Sequence, residues 1–196
     1  MIIESMYFPP VSVLMEFKAN HRIRIDQGEY YRKGSFRNKC FLNSANGPQL
    51  LSVPLVKGKN NLQPMKDVKI SYDENWPRQH MEAIKTCYGN SPYFIYFMDQ
   101  IENVLFSRPG FLIDLNQQAL SLVISYLLPD VEVSYSKEYI DVEVRVDRRD
   151  SCRLSNYLDF KVNRYSQVFE DKKGFVPNLS SLDLLLCMGK YGNNYL

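Results

Sequence analysis

Residues 1–26 read MIIESMYFPPVSVLMEFKANHRIRID, and their patterning sets the fold class. Residues 1–8 are a short run of strand character. Pro9-Pro10 then turns the chain into VSVLMEFKA, where Val11, Leu14, Met15 and Lys18 recur at helical spacing. HRIRID follows with Ile23 and Ile25 alternating, a second strand that ends at Asp26 and Gly28. A strand, helix, strand opening predicts an α/β protein with a mixed sheet flanked by helices; an α+β arrangement is the alternative.

Working outward, residues 30–42 and 49–56 read as two further extended runs joined through the turn signal Asn46-Gly47-Pro48. Residues 57–64 form a loop, and VKISY (68–72) alternates again. The middle is helical. Asn75 caps WPRQHMEAIKTCY, which Gly89 ends; Ser91-Pro92 opens a second helix running to about Ser107. A third, FLIDLNQQALSLVISYLL, stops before Pro129, and its apolar stripe is wide enough for burial on two sides. VEVSYS (131–136) and YIDVEVRV (139–146) are strand-like. Residues 147–166 carry no assignable pattern, and GFVPNLSSLDLLLCMG (174–189) closes as a helix ended by Gly189. With no repeat or linker, residues 1–196 are expected to form a single domain.

Composition narrows the function. A chain that is 45% hydrophobic and 13% aromatic, with nine Gly and ten Pro, is a packed protein and not a disordered one. A net charge of +2 is too mild for a dedicated nucleic-acid binder. The cysteines at 40, 87, 152 and 187 form no C-x-x-C pair and have no neighbouring histidine, so neither a zinc site nor a redox dithiol is readable. A reducing cytoplasm fits this usage, and no metal or cofactor is expected. The start lacks the basic region of a secretory signal, and the longest apolar stretch, LSLVISYLL at 120–128, is about half a membrane span.

The chemistry concentrates in YYRKGSFRNKCF, residues 30–41, which carries Arg32, Lys33, Arg37 and Lys39 and no acid. As a strand it places Tyr31, Lys33, Ser35, Arg37 and Lys39 on one face and Tyr30, Arg32, Phe36, Asn38 and Cys40 on the other. Like charges so spaced repel unless an anion sits between them. Two readings stay open: a phosphate- or carboxylate-binding stripe, or an edge strand protected by exposed cations.

His80 falls on one helix face with Trp76, Ile84, Cys87 and Tyr88. It is either a core imidazole with a satisfied hydrogen bond or a general acid/base. Asp183, on an apolar helix face beside Leu186, needs a partner if it is buried; the alternative is a helix-start carboxylate favoured by the dipole.

Several of these stretches together resemble one family. Tyr7-Phe8-Pro9-Pro10, YYRKGSFRNK, LLSVPLVKGKNNLQPMKDVKI, NWPRQH with Tyr88 and SPYF, and GFVPNLSSLDLLLCMG follow the order found in WbqC-like proteins, bacterial proteins associated with surface-polysaccharide biosynthesis. The resemblance implies that Lys33, Ser35, Asn38, Lys39, Trp76, His80 and Asp183 match similar residues of the family pattern. Two departures stand out: Ile3, Glu4 and Ser5 replace an H-Q-P opening, and residues 137–166 do not resemble the glycine-containing segment of longer relatives. The implied function is transfer of an acyl or aminoacyl group to a nucleotide-linked amino sugar. In that reading Arg32, Lys33, Arg37 and Lys39 hold phosphate, Trp76 or Tyr88 stacks on sugar or base, Tyr7 contributes to the substrate site, and His80 with Asp183 handles protons. The partner is then a small molecule, not nucleic acid and not a bilayer. The alternative is a non-catalytic binding or scaffold protein of the same pathway. An enzyme requires His80, Asp183 and the cations around one pocket; a scaffold requires only an exposed patch.

Overall fold

A computed structural model of the chain describes residues 1–56, 62–141 and 147–196. The opening folds as its pattern predicts. Strand β1 (Ile2–Glu4) leads through Pro9-Pro10 into helix α1 (Val11–Asn20), and β2 (Arg22–Asp26) returns beside β1 in parallel, with Ile3 opposite Ile25. His21 ends α1 in a left-handed conformation, φ 56°, and its N–H donates to the Phe17 carbonyl. Strand β5 (Glu132–Ser136) adds in parallel on the far side of β2, and a parallel bridge joins Ile2 to Asp147 on the other side of β1.

Between β2 and β5 lie an antiparallel hairpin, β3 (Lys39–Ser44) with β4 (Gly47–Ser52), and three helices, α2 (Trp76–Tyr88), α3 (Phe94–Phe106) and α4 (Leu112–Leu127). The four-residue α5 (Glu170–Lys173) and α6 (Ser181–Met188) follow β5. The class is α/β, with parallel and antiparallel pairing held in two separate sheets: three parallel strands in one, the hairpin in the other. Among the described residues no helix is long and apolar enough to cross a membrane.

Three expectations change. Residues 31–38 are turns and irregular backbone; the strand starts only at Lys39, because Gly34 takes φ 70° and the Ser35 hydroxyl closes a turn on the Arg32 carbonyl at 2.6 Å. The hairpin turns on Ala45 and Asn46, with Gly47 (φ 106°) already paired to Ser44. VKISY forms isolated bridges to Leu55 and Phe111 without becoming a named strand. Residues 57–61 of the expected loop and 142–146 of the expected last strand lie outside the described residues.

One apolar core runs through both sheets and the helices. It includes Ile3, Leu14, Ile25, Leu42, Ile84, Ile101, Leu115 and Leu185, each at most 2% exposed. α6 packs inside it with Leu182, Leu184, Leu185 and Leu186 all buried, so the carboxylate of Asp183 on the same helix depends on donors brought from other segments.

Candidate functional site

The parallel strands share one carboxyl edge, where β1 ends in Glu4, β2 in Asp26 and β5 in Ser136. Asp147, bridged to Ile2, leads into the neighbouring loop. The loops that follow add Glu29, Arg149 and Asp150. In open α/β sheets this edge is where ligands settle, because the chain diverges there and leaves a crevice.

Arg37 reaches into this cluster from the turn segment with no side-chain exposure. Its Nε donates to Glu29 Oε1 at 2.8 Å and its Nη2 to Glu29 Oε2 at 2.5 Å, a bidentate pair; its Nη1 donates to Asp150 Oδ1 at 3.0 Å. Arg32 meets the other Asp150 oxygen at 3.1 Å from the solvent side. Beneath them Glu4 Oε2 accepts the Asp150 N–H at 3.1 Å. Burial dominates at Glu4 and lifts its carboxyl to about 7, with Arg37 only partly opposing. Arg149 pairs with Asp26 and Asp147 and lies 4.5 Å over the Tyr139 ring. Gly28 makes this geometry possible: a Cβ there would stand 2.0 Å from the Tyr139 backbone nitrogen.

Above the cluster opens a cleft of about 270 Å³. Its walls alternate in sign, with Glu29, Asp147 and Asp150 against Arg32 and Arg149, and its rim carries Tyr30, Leu62 and Tyr139. Tyr30 is 50% and Tyr139 52% exposed, the Tyr139 ring having Arg149 over one face.

The remaining expected residues fall into two other buried networks. Tyr7 and the α2 residues Trp76 and His80 meet in the core. The Tyr7 hydroxyl is 3.0 Å from His80 Nδ1, and the Trp76 ring packs edge-on at 5.0 Å. Burial lowers His80 to about 4, with a hydrogen bond to the Ser52 backbone opposing, so the imidazole is neutral at pH 7. Asp183 on α6 is fully buried. It accepts from Tyr88 OH at 2.9 Å, Tyr165 OH at 2.7 Å and Gln167 Nε2 at 2.8 Å. Its burial raises it to about 6, although all three donors favour the anion. Tyr88 accepts the Asn43 N–H in turn, which ties α2 and α6 to the hairpin.

The arrangement thus differs from the expected convergence. His80 is tied to Tyr7 and Ser52, and Asp183 to Tyr88, Tyr165 and Gln167; among the described residues the two share no partner. The expected cationic stripe also breaks up, because its backbone is not a strand. Arg37 points inward to Glu29, Arg32 lies at the cleft, Lys33 is exposed, and Lys39 opens β3 opposite Ser52. Ser35 and Asn38 hold backbone: Asn38 Nδ2 donates to the Val53 carbonyl at 2.9 Å while its Oδ1 accepts from Tyr31. The residues that reasoning from sequence passed over are Glu4, Asp26, Glu29, Tyr30, Tyr139, Asp147, Arg149 and Asp150. Only Glu4 and Asp26 carried a signal, in IIE and RID, strand runs that each close on an acid.

A family model matches residues 5–153, about three-quarters of the length. The chain belongs to the WbqC-like protein family. No curated protein and no solved structure matches it. In this WbqC-like protein the matched span takes in the walls and rim of the carboxyl-edge cleft and the Tyr7–His80 pair, while Glu4 stands one residue before it. Asp183, Tyr165 and Gln167 lie beyond its end.

Proposed function

We propose that this WbqC-like protein is a group transferase of surface-glycan assembly that holds an amino sugar in the carboxyl-edge cleft. The observation carrying this reading is the pairing of charges of both signs with two half-exposed tyrosines at the end of a parallel sheet. Carboxylates at Asp147 and Asp150 suit an ammonium group and sugar hydroxyls, which donate. The aromatic faces of Tyr30 and Tyr139 suit the apolar side of a pyranose ring. Arg32, at the mouth, suits a phosphate linked to the sugar. A volume of about 270 Å³ takes a monosaccharide and leaves a linked nucleotide outside. The group we assign to the transfer is acyl or aminoacyl, a choice motivated by the association of WbqC-like proteins with polysaccharide assembly. In this reading the proton acceptor is sought at the cleft, above Glu4, and not at His80, whose Nδ1 is occupied by Tyr7.

The test is calorimetric titration of free and nucleotide-linked amino sugars against their N-acetylated and neutral counterparts. Preference for the free amine, weakened in Tyr30→Ala and Arg32→Ala, is the expected result. Absence of binding by every sugar overturns the site.

A non-catalytic binding role is the second reading, favoured by the separation of His80 from Asp183. It predicts that a bound amino sugar is recovered unchanged, as followed by NMR, in the presence of acyl and aminoacyl donors. Turnover excludes it.

A further inference from the structure

A larger cavity, of about 490 Å³, opens between the end of α2, residues 166–172 and α6. Most of its lining lies after residue 153, so it belongs largely to the part of the chain outside the family match. Its less exposed lining is apolar and polarisable: Val168, Phe169 and the thiols of Cys87 and Cys187. Phe169 is held at φ 66°, a conformation that costs a bulky residue about 1–3 kcal/mol and that gathers at ligand clamps. Behind the wall Gln167 is fully engaged. Its Nε2 donates to Asp183 and the Val176 carbonyl, and its Oε1 accepts the Val176 N–H, so the wall is fixed. The mouth is the opposite. Asn90, Ser166, Asp171 and Lys172 line it, and among the described residues their side chains make no hydrogen bond or ion pair.

We infer that this cavity is a second ligand site, built for a nucleoside monophosphate. A simple anion would meet Lys172 but be opposed by Asp171, and a purely apolar guest would leave both charges unused. A nucleoside phosphate answers each feature: a flat base against Phe169, Val168 and the sulfur atoms, a ribose diol donating to Asp171, and a phosphate on Lys172. Asn90 and Ser166 supply neutral donors and acceptors for the base edge. The volume lies within the ordinary range for such ligands. The inference stands apart from the carboxyl-edge cleft and does not require it.

The experiment titrates the full chain with AMP and UMP, with adenosine and inorganic phosphate as controls, and maps protection from hydrogen exchange. Expected are binding of at least one nucleotide and protection of residues 86–92 and 166–172. Lys172→Ala should weaken nucleotide binding by about ten-fold or more and leave adenosine unaffected, and Asp171→Asn should weaken AMP but not its 2′,3′-dideoxy analogue. Both side chains are exposed, so neither variant threatens the fold. Failure of both nucleotides to bind at about millimolar concentration, far above the range of a specific site, overturns the inference. So does binding that Lys172→Ala leaves intact, or protection confined to residues 28–32 and 147–150. That last pattern would assign the nucleotide to the carboxyl-edge cleft instead.

Discussion

Arg37 shows how much a single side chain can mislead when it is read without its partners. In the sequence it is one of four cations in a stretch with no acid; in the fold it is buried against Glu29 and Asp150, with Glu4 close enough to feel its charge. Removing it strands buried carboxylates, so Arg37→Leu is expected to cost about 3–5 kcal/mol in denaturant unfolding. Arg37→Leu combined with Glu29→Leu should recover part of that loss; a double variant no better than the single would show that the pair is not the dominant contact. Glu4 gives a prediction in pH. Its carboxyl is raised from 4.5 to about 7, so the folded state keeps a proton that the unfolded state has released. Its contribution is therefore fully present below pH 4.5 and lost as the pH rises through 7. Glu4→Gln should match the parent near pH 4.5 and exceed it by about 3 kcal/mol above pH 7, seen as a growing difference in Tm. His80 has the opposite sign. Lowered to about 4, it stabilises fully above pH 6.5 and loses that contribution as the pH falls toward 4. Asp183, raised to about 6, slopes with Glu4 and offsets His80, so Glu4→Gln is expected to vary less with pH than the parent between pH 4.5 and about 6.

At the scale of elements, the helices were the most legible part. The periodic stretches became α1, α2, α3 and α4 within a few residues of their expected ends, since apolar spacing, prolines and glycines mark a helix locally, although Asn75 makes no side-chain capping bond to α2. The segment before β3 was not legible. Tyr31 and Phe36 suggest a strand, but the backbone is claimed by partners far away in sequence: the Phe36 carbonyl accepts the Tyr7 N–H at 2.9 Å, and Tyr31 exchanges backbone bonds with residues 62–63. Strand propensity yields to such tertiary demands. The candidate cleft was half legible for a related reason: Arg32 was found as a cation, while the acids facing it, Glu29, Asp147 and Asp150, come from segments that meet only once the sheet exists. Gly28 belongs to this scale, as the residue that lets the 26–29 loop touch the 138–139 backbone. Gly28→Ala should destabilise by about 1–3 kcal/mol through overpacking and should also weaken amino-sugar binding, because Asp26 and Tyr139 are displaced together. Unchanged thermal unfolding in this variant would contradict the close approach.

Across the whole molecule, the α/β class followed from the first 26 residues, whereas the division into two sheets did not, because strand partners are chosen by the completed core. The same holds for Asp183, whose need for donors was readable but whose donors, Tyr88 and Tyr165, come from two distant segments. The ends of the chain are joined in the same way. The Val11 N–H donates to the Leu179 carbonyl at 3.0 Å, and the Ser181 N–H donates to the Pro9 carbonyl at 2.8 Å. A chain ending at residue 177 is therefore expected to lose cooperative unfolding and its near-ultraviolet dichroism, since α1 would keep neither these bonds nor the α6 leucines. Retention of a sharp transition would show that α1 and the sheet stand without that support. During synthesis on the ribosome, this closure means that the first helix emerges early and waits: its docking surface is made last, and until then its apolar face is open to chaperones and to other nascent chains.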